Sequence, residues 1–160
     1  MKLRPETLDF FARAPLKLQD RAVIGKSPDE VFAALADVST WTKWFPLMTR
    51  CEWVTKETAC VGAERVVSLT LLGTYRERFL AWEPGKRFAF TMTESSSPLA
   101  RAIAEDMILS PVDGGSATAI DWTMAAQPTI VGRLGRPILM ATMRRVFREG
   151  GLRLGRLLGA

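Results

Sequence analysis

Six consecutive segments with strand character lie between residues 48 and 126, and they constrain the fold more than any other feature. They cover 48–57, 62–72, 74–83, 86–94, 105–112 and 116–126. Turn residues separate them, including Gly62, Gly73 and the pair Pro84-Gly85. Links this short join antiparallel neighbours, because parallel strands need a crossover of a dozen or more residues. The pattern therefore predicts an antiparallel meander, interrupted by a longer loop over 95–101.

The segment before the meander predicts one strand and two short helices. Residues 17–26 have strand character, and Ser27-Pro28-Asp29-Glu30 follows as a helix start with Ser27 as N-cap. Glu30 is placed to complete a capping box, and proline suits the first helical position. A second helix is predicted over 41–45, capped by Ser39 or Thr40 and ended by Pro46. Residues 6–13 could form a short amphipathic helix or an ordered arm.

The last 30 residues predict a long amphipathic helix. Apolar residues recur there at intervals of three and four between Leu139 and Leu158, while Arg144 and Arg148 fall on the opposite side. Pro137 would either kink this helix or begin its regular part. Gly150-Gly151 is a weak point at which the helix could bend or break.

Composition excludes several kinds of chemistry. The chain has no histidine and only two cysteines, Cys51 and Cys60, which rules out Ser-His-Asp and Cys-His pairs and histidine-ligated metals. No phosphate-binding loop or dinucleotide fingerprint is present, so we expect no metal and no cofactor. The chain has neither an apolar run of about 20 residues nor a secretory signal pattern. With so few cysteines, a cytoplasmic location is expected.

Positive charge is concentrated at one end of the chain. Residues 129–160 contain seven arginines and one acid, Glu149, whereas the other residues together sum to −1. One interpretation is a solvated helix face. The other is peripheral contact with an anionic membrane or a phosphorylated carrier. Nucleic acid is not expected, because the aromatic residues lie in the strands and the arginines in the helix.

Four stretches, in this order, resemble motifs of the START-like superfamily, specifically the polyketide cyclase/dehydrase and lipid-transport group. They are Ile24–Phe32, Leu35–Pro46, Trp82–Phe88 and Val112–Thr118. The resemblance implies the α+β helix-grip fold, in which a curved seven-stranded antiparallel sheet wraps around a long C-terminal helix, with two short helices after strand 1. It covers a domain over 17–158, preceded by an arm over 1–16. It also implies a cavity between sheet and helix that takes apolar molecules such as lipids, quinones or polyketides.

Strand alternation and helix spacing select apolar candidates for the wall of such a cavity, because alternate strand residues share one face. The candidates are Trp44, Trp53, Phe90, Met92, Met107, Trp122, Met124, Leu139, Met143 and Phe147. Aromatic and methionine side chains suit adaptable apolar sites. The alternative is that these residues simply fill the core, and that Trp44 anchors the second short helix to the sheet.

Polar candidates come from the segment 74–83 and from the end of the next strand. On 74–83, one face carries Arg76 and Arg78, and the other carries Tyr75 and Glu77. Inward arginines could hold an anion, whereas Tyr75 and Glu77 could form an acid/base pair. These charges could equally lie on the solvated convex face. Glu94 continues an apolar face and could reach the cavity mouth, or could end the strand in solvent.

Three functions fit these features. The first is a binder or carrier of a hydrophobic small molecule. The second is a cyclase/dehydratase-like enzyme, such as a polyketide aromatase/cyclase, working without a metal or nucleotide cofactor. The third is a module that reaches a membrane or carrier through the basic helix. The first two functions differ in whether the polar candidates point into the cavity, as an enzyme would require. The third function predicts binding that weakens with salt.

Overall fold

The computed structural model describes residues 1–160. A short helix precedes the first strand, two helices follow that strand, six strands form the middle of the chain, and two helices end it. The elements are α1 (Phe10–Arg13), β1 (Leu16–Ile24), α2 (Pro28–Ala36), α3 (Trp41–Trp44), β2 (Met48–Trp53), β3 (Glu64–Leu69), β4 (Gly73–Glu83), β5 (Arg87–Ser95), β6 (Ala100–Val112), β7 (Ala117–Pro128), α4 (Ile130–Leu134) and α5 (Arg136–Leu157). No helix is both long and apolar enough to cross a membrane.

The seven strands form one antiparallel sheet in the order β1-β7-β6-β5-β4-β3-β2. Strands β2 to β7 pair with their sequence neighbours, as short turns require, and β1 closes the sheet along β7. Helix α5 packs against β1 and α3 across the inner face. The α+β helix-grip architecture predicted from the sequence is therefore confirmed.

The start of α2 has the capping box that its sequence predicts. The Glu30 backbone N–H donates to Ser27 Oγ at 3.4 Å, and the Ser27 backbone N–H donates to the Glu30 carboxylate at 3.0 Å. The cap predicted for α3 does not form. Thr40 precedes this helix, but its hydroxyl donates instead to the carbonyl oxygens of Ala34 and Asp37, which ties the end of α2 to the start of α3.

Helix α5 continues through Gly150-Gly151, although two consecutive glycines weaken a helix. A Cβ atom on Gly151 would lie 2.8 Å from Cβ of Ala22 in β1, which is closer than real side chains approach. The glycine therefore serves close packing between helix and sheet. Pro137 lies in the first turn of α5, and Gly135 separates α5 from α4, which was not predicted as a separate helix.

Strand β6 begins at Ala100, inside the segment predicted as a loop. Its first residues are rich in alanine, which carries little strand signal, and they become a strand because they pair with the end of β7. Ala102 and Ala104 face outward, where Phe10 of α1 packs on them. The N-terminal residues thus cover the outer face of the sheet, and Lys2 bridges to Glu94 beside the end of β5.

Candidate ligand-binding site

An apolar cavity lies between the inner face of the sheet and α5. Its volume is about 80 Å³. Glu77 and Glu105 are the only side chains with an ionisable carboxyl group among the lining residues. The wall consists of Leu16, Trp41, Phe45, Met48, Val67, Leu69, Leu72, Tyr75, Glu77, Phe90, Met92, Leu99, Ala100, Ile103, Glu105, Met124, Ala126, Pro128, Leu139 and Met143.

The cavity has an open end and a closed end along the strand direction. Half-buried residues mark the mouth, among them Leu72, Leu99 and Leu139. Further in, the wall is fully covered and includes Glu77 and Phe90. The next inward-facing positions close the bottom with large buried side chains, which are Arg65, Phe79, Phe88, Met107, Trp122 and Phe147.

Half of the ten apolar candidates line this cavity. They are Phe90, Met92, Met124, Leu139 and Met143. Four others lie in the closed end, around a separate void of about 10 Å³, and they are Trp44, Met107, Trp122 and Phe147. Trp53 lies outside the wall and packs on Phe79 and Trp82, with ring centroids 5.6 and 5.9 Å apart. All are buried except Trp53 and Leu139, which are half-buried. Position along the strand or helix, and not the face that a side chain occupies, therefore decides whether it lines the cavity or fills the core.

The polar candidates divide between the two faces of β4. Tyr75 and Glu77 face inward and line the cavity, whereas Arg76 and Arg78 face outward and form ion pairs with Glu64 at 3.1 and 2.7 Å. Glu94 is exposed and lies opposite Arg76, outside the cavity. A bulge in β5 shifts its pairing with β4, because Glu77 pairs with Met92 and Arg76 with Glu94, which leaves Thr93 as the extra residue. The alternation that runs through Met92 therefore does not extend to Glu94.

Sequence reasoning did not identify two charged residues of the inner face, Arg65 and Glu105. Glu105 precedes Met107 by two residues, so strand alternation already placed it on the same face. Arg65 likewise precedes the apolar residue Val67 by two positions, so the two side chains share a face. Residue type gives the opposite indication, because an ionisable residue in an antiparallel strand usually faces solvent.

Arg65 and Glu77 form a buried ion pair at the inner end of the cavity. Arg65 Nε donates to Glu77 Oε2 at 2.6 Å, and the two side chains are 1% and 4% exposed. The guanidinium carbon lies 4.1 Å from the ring centroid of Trp41 and 4.9 Å from that of Phe90. Arg65 Nη1 and Nη2 have no hydrogen-bond partner, so the aromatic faces are their main compensation. Burial raises the pKa of Glu77, and Arg65 opposes that rise.

Glu105 lies two strands from Glu77 and has only one hydrogen-bond partner. Its Oε2 accepts from Trp122 Nε1 at 2.9 Å. Burial raises the pKa of Glu105 to about 8, and the negative charge of Glu77 adds to the rise. Glu105 is therefore mainly protonated and uncharged at neutral pH, a state in which it can donate as well as accept.

Tyr75 and Cys51 are neutral neighbours of this group. Tyr75 donates its hydroxyl to the Leu72 carbonyl oxygen at 2.7 Å, and burial raises its pKa. Burial raises the pKa of Cys51 to about 11, which makes its thiol a poor nucleophile. No group of three or more His, Cys, Asp or Glu side chains lies close enough together to hold a metal ion.

The fold and this site define a class of protein: a helix-grip domain with an apolar cavity between sheet and C-terminal helix. Residues 15–159 match the family described as polyketide cyclase/dehydrase and lipid transport, and the chain belongs to that family. An uncharacterized protein of Mycobacterium bovis is 31% identical over 148 residues, which span 89% of this chain and 86% of that protein.

Solved structures confirm the fold. A protein from Thermus thermophilus superposes with a TM-score of 0.75 at 16% identity, covering 89% of this chain and 97% of that one. A START superfamily protein from Mycobacterium smegmatis gives a TM-score of 0.71 at 9% identity, covering 88% and 98%. Family and fold are both consistent with the binding of a hydrophobic ligand.

Proposed function

We propose that this protein binds a hydrophobic small molecule, such as a lipid, quinone or polyketide, in the cavity between the sheet and α5, and that it acts as a binder or carrier. The observation that carries the proposal is a cavity whose wall is apolar except at its inner end. An apolar cavity favours an apolar occupant because burial removes the ligand's surface from water.

Four methionines in the wall suit a ligand larger than the present space. Met48, Met92, Met124 and Met143 line the cavity. A methionine side chain is unbranched and flexible, so it can change rotamer at little cost and widen the cavity around a guest.

Binding is favoured over acid/base chemistry by the state of the two polar residues of β4. Tyr75 and Glu77 do face inward, the orientation that an enzyme of the cyclase type would need. The Tyr75 hydroxyl is engaged by the Leu72 carbonyl oxygen and Glu77 by Arg65. Neither is therefore free to exchange a proton with a ligand without first breaking a buried contact.

Ligand binding is expected to raise the melting temperature and change the fluorescence of Trp41, which lies in the wall. A ligand at 100 times its Kd stabilises the native state by about 2.7 kcal/mol. The test is a thermal-shift and fluorescence screen of fatty acids, quinones and aromatic polyketides. Ala126→Phe, which fills the cavity, should abolish both responses, and Ile108→Phe on the exposed surface should leave them intact. Responses that survive Ala126→Phe would place binding elsewhere.

An exposed apolar patch at the mouth favours a second function, docking on an anionic membrane. The mouth patch consists of Leu71, Ile130, Val131, Leu134 and Ile138, which are 56–95% exposed. Leu71 and Ile138 directly neighbour Leu72 and Leu139 of the cavity wall. Arg133 and Arg136 lie exposed within the same stretch, and residues 129–148 contain no acid. Apolar side chains flanked by arginines complement an anionic bilayer surface.

Cosedimentation should show binding to phosphatidylglycerol vesicles that weakens at high salt, with little binding to phosphatidylcholine vesicles. Leu134→Ser combined with Ile138→Ser should greatly reduce the bound fraction, because these are among the most exposed residues of the mouth patch. Val61→Ser is the matched control, because Val61 is also an exposed apolar residue but lies in another loop. Equal loss in both variants, or no binding to either vesicle, would contradict membrane docking.

A further inference from the structure

We propose that Glu105, beside the Arg65–Glu77 pair, is the group that recognises a polar oxygen of the ligand, so that the cavity selects uncharged apolar molecules carrying a carbonyl or hydroxyl group. This inference rests on the proposed binding function and names the class of ligand. The supporting observation is that only one of the two carboxyl oxygens of Glu105 has a hydrogen-bond partner, although Glu105 lies in a mainly apolar wall.

The two oxygens of Glu105 have different surroundings. Oε2 accepts from the Trp122 indole, and Oε1 has no partner within the chain. Three side-chain nitrogen atoms are both fully covered and without a partner, namely Trp44 Nε1 and Arg65 Nη1 and Nη2. Oε1 is not one of these atoms, so it is not fully covered. An oxygen that is neither covered nor bonded, on a residue that lines the cavity, faces the cavity space. A polar group in this position requires a partner, and the ligand can supply it.

The charge balance at the inner end favours a neutral partner. Arg65 and Glu77 neutralise each other in a direct ion pair, and the Arg65 side chain is not part of the wall. A ligand carboxylate would therefore meet two carboxyl groups and no free cation. Since burial raises the pKa of Glu105 to about 8, its proton is available at neutral pH for donation to a ligand oxygen.

Apart from the Arg65–Glu77 pair, no charged side chain faces Glu105. Phe90 is its cross-strand neighbour on β5, and α5 presents Leu139 and Met143 to the cavity. The titratable or charged groups that face it are Arg65 from β3 and Tyr75 and Glu77 from β4. Cys51 from β2 lies near the Arg65–Glu77 pair and stays neutral, because its pKa is about 11.

The test compares three probes with the same ring system, using tryptophan fluorescence and calorimetry. They are 2-acetylnaphthalene, the shape-matched alkene 2-isopropenylnaphthalene, and 2-naphthoate. The ratio of ketone to alkene affinity should fall by about three- to tenfold in Glu105→Leu, the value of one lost hydrogen bond. Alkene binding should persist in that variant, and 2-naphthoate should bind the parent more weakly than the ketone does.

The pH profile supplies a second measurement. Ketone affinity of the parent should fall about tenfold between pH 7 and pH 9, because the protonated donor is lost as pH rises through about 8. Glu105→Gln can still accept from Trp122 and donate to the ketone, and it cannot ionise. It should therefore keep ketone binding and lose the pH dependence, with a melting temperature that verifies folding.

The outcomes separate the two proposals. Binding of neither neutral probe would overturn the proposed function and this inference together. Binding of both with an unchanged ratio in Glu105→Leu would overturn only the inference. A pH dependence that persists in Glu105→Gln would assign the titration to Glu77 and also contradict it. Tighter binding of 2-naphthoate than of the ketone would make Arg65 the recognition group instead.

Discussion

Replacing Phe147 by alanine should lower the free energy of unfolding by about 3–5 kcal/mol, as deletions of buried phenylalanines do. Phe147 is 1% exposed, and its ring stacks on Trp122 at a centroid distance of 4.2 Å and an interplanar angle of 15°. This stack joins α5 to β7 at the closed end of the cavity. Urea denaturation of parent and variant measures the loss. Ligand affinity should fall as well, because α5 would lose its anchor below the cavity wall.

The matched control is charge reversal on the opposite side of α5. Arg144 and Arg148 are exposed, so Arg144→Glu combined with Arg148→Glu should change stability by less than about 1 kcal/mol. The reversal should act only on membrane binding. If Phe147→Ala unfolded like the parent while the double reversal were strongly destabilised, the assigned faces of α5 would be inverted.

Replacing Glu77 alone should be about as costly as removing Phe147. Glu77→Leu would leave the charge of Arg65 in a fully buried site without its carboxylate, and breaking one side of a buried ion pair typically costs about 3–5 kcal/mol. An arginine cannot escape this cost by releasing its proton. Equilibrium unfolding in urea at neutral pH measures the effect.

The double variant Arg65→Met, Glu77→Leu tests the cause of that cost. Replacing both partners by apolar residues of similar size should recover most of the lost stability, because no buried charge remains. If the double variant were as unstable as Glu77→Leu, loss of packing around Trp41 and Phe90, rather than an unpaired charge, would explain the effect.

Local sequence signals predicted most of the fold, because they depend on near neighbours. The Ser27–Glu30 capping box forms as expected, Gly62 and Gly85 lie in turns between strands, and Gly73 begins β4 with a positive φ. Signals of this kind were wrong at Ala100, where strand formation depends on pairing with β7, and they left open whether α5 breaks at Gly150-Gly151, where the glycines serve close packing. In both places, partners distant in sequence outweighed local propensity.

The candidate site was partly predictable for a similar reason. Alternation placed Phe90, Met92 and Met124 on the inner face, and all three line the cavity. The same reasoning placed Met107 and Trp122 on that face, but they lie in the filled end. Alternation reports which face a side chain occupies and contains no information on its depth along the strand.

The sequence by itself determined the order of the elements, the inward face of most strands and the amphipathic character of α5, since each follows from the intrinsic geometry of the chain. Only the tertiary structure decided where the inner space stays empty, because this depends on how α5 and the curved sheet meet. It also decided which charged side chains are buried and which are exposed. The bulge in β5, where Thr93 is the extra residue, leaves Glu94 in solvent, while packing over Trp41 and Phe90 buries Arg65 with Glu77. Burial then raises the pKa of Glu105 to about 8, a change that depends on surroundings assembled from distant strands.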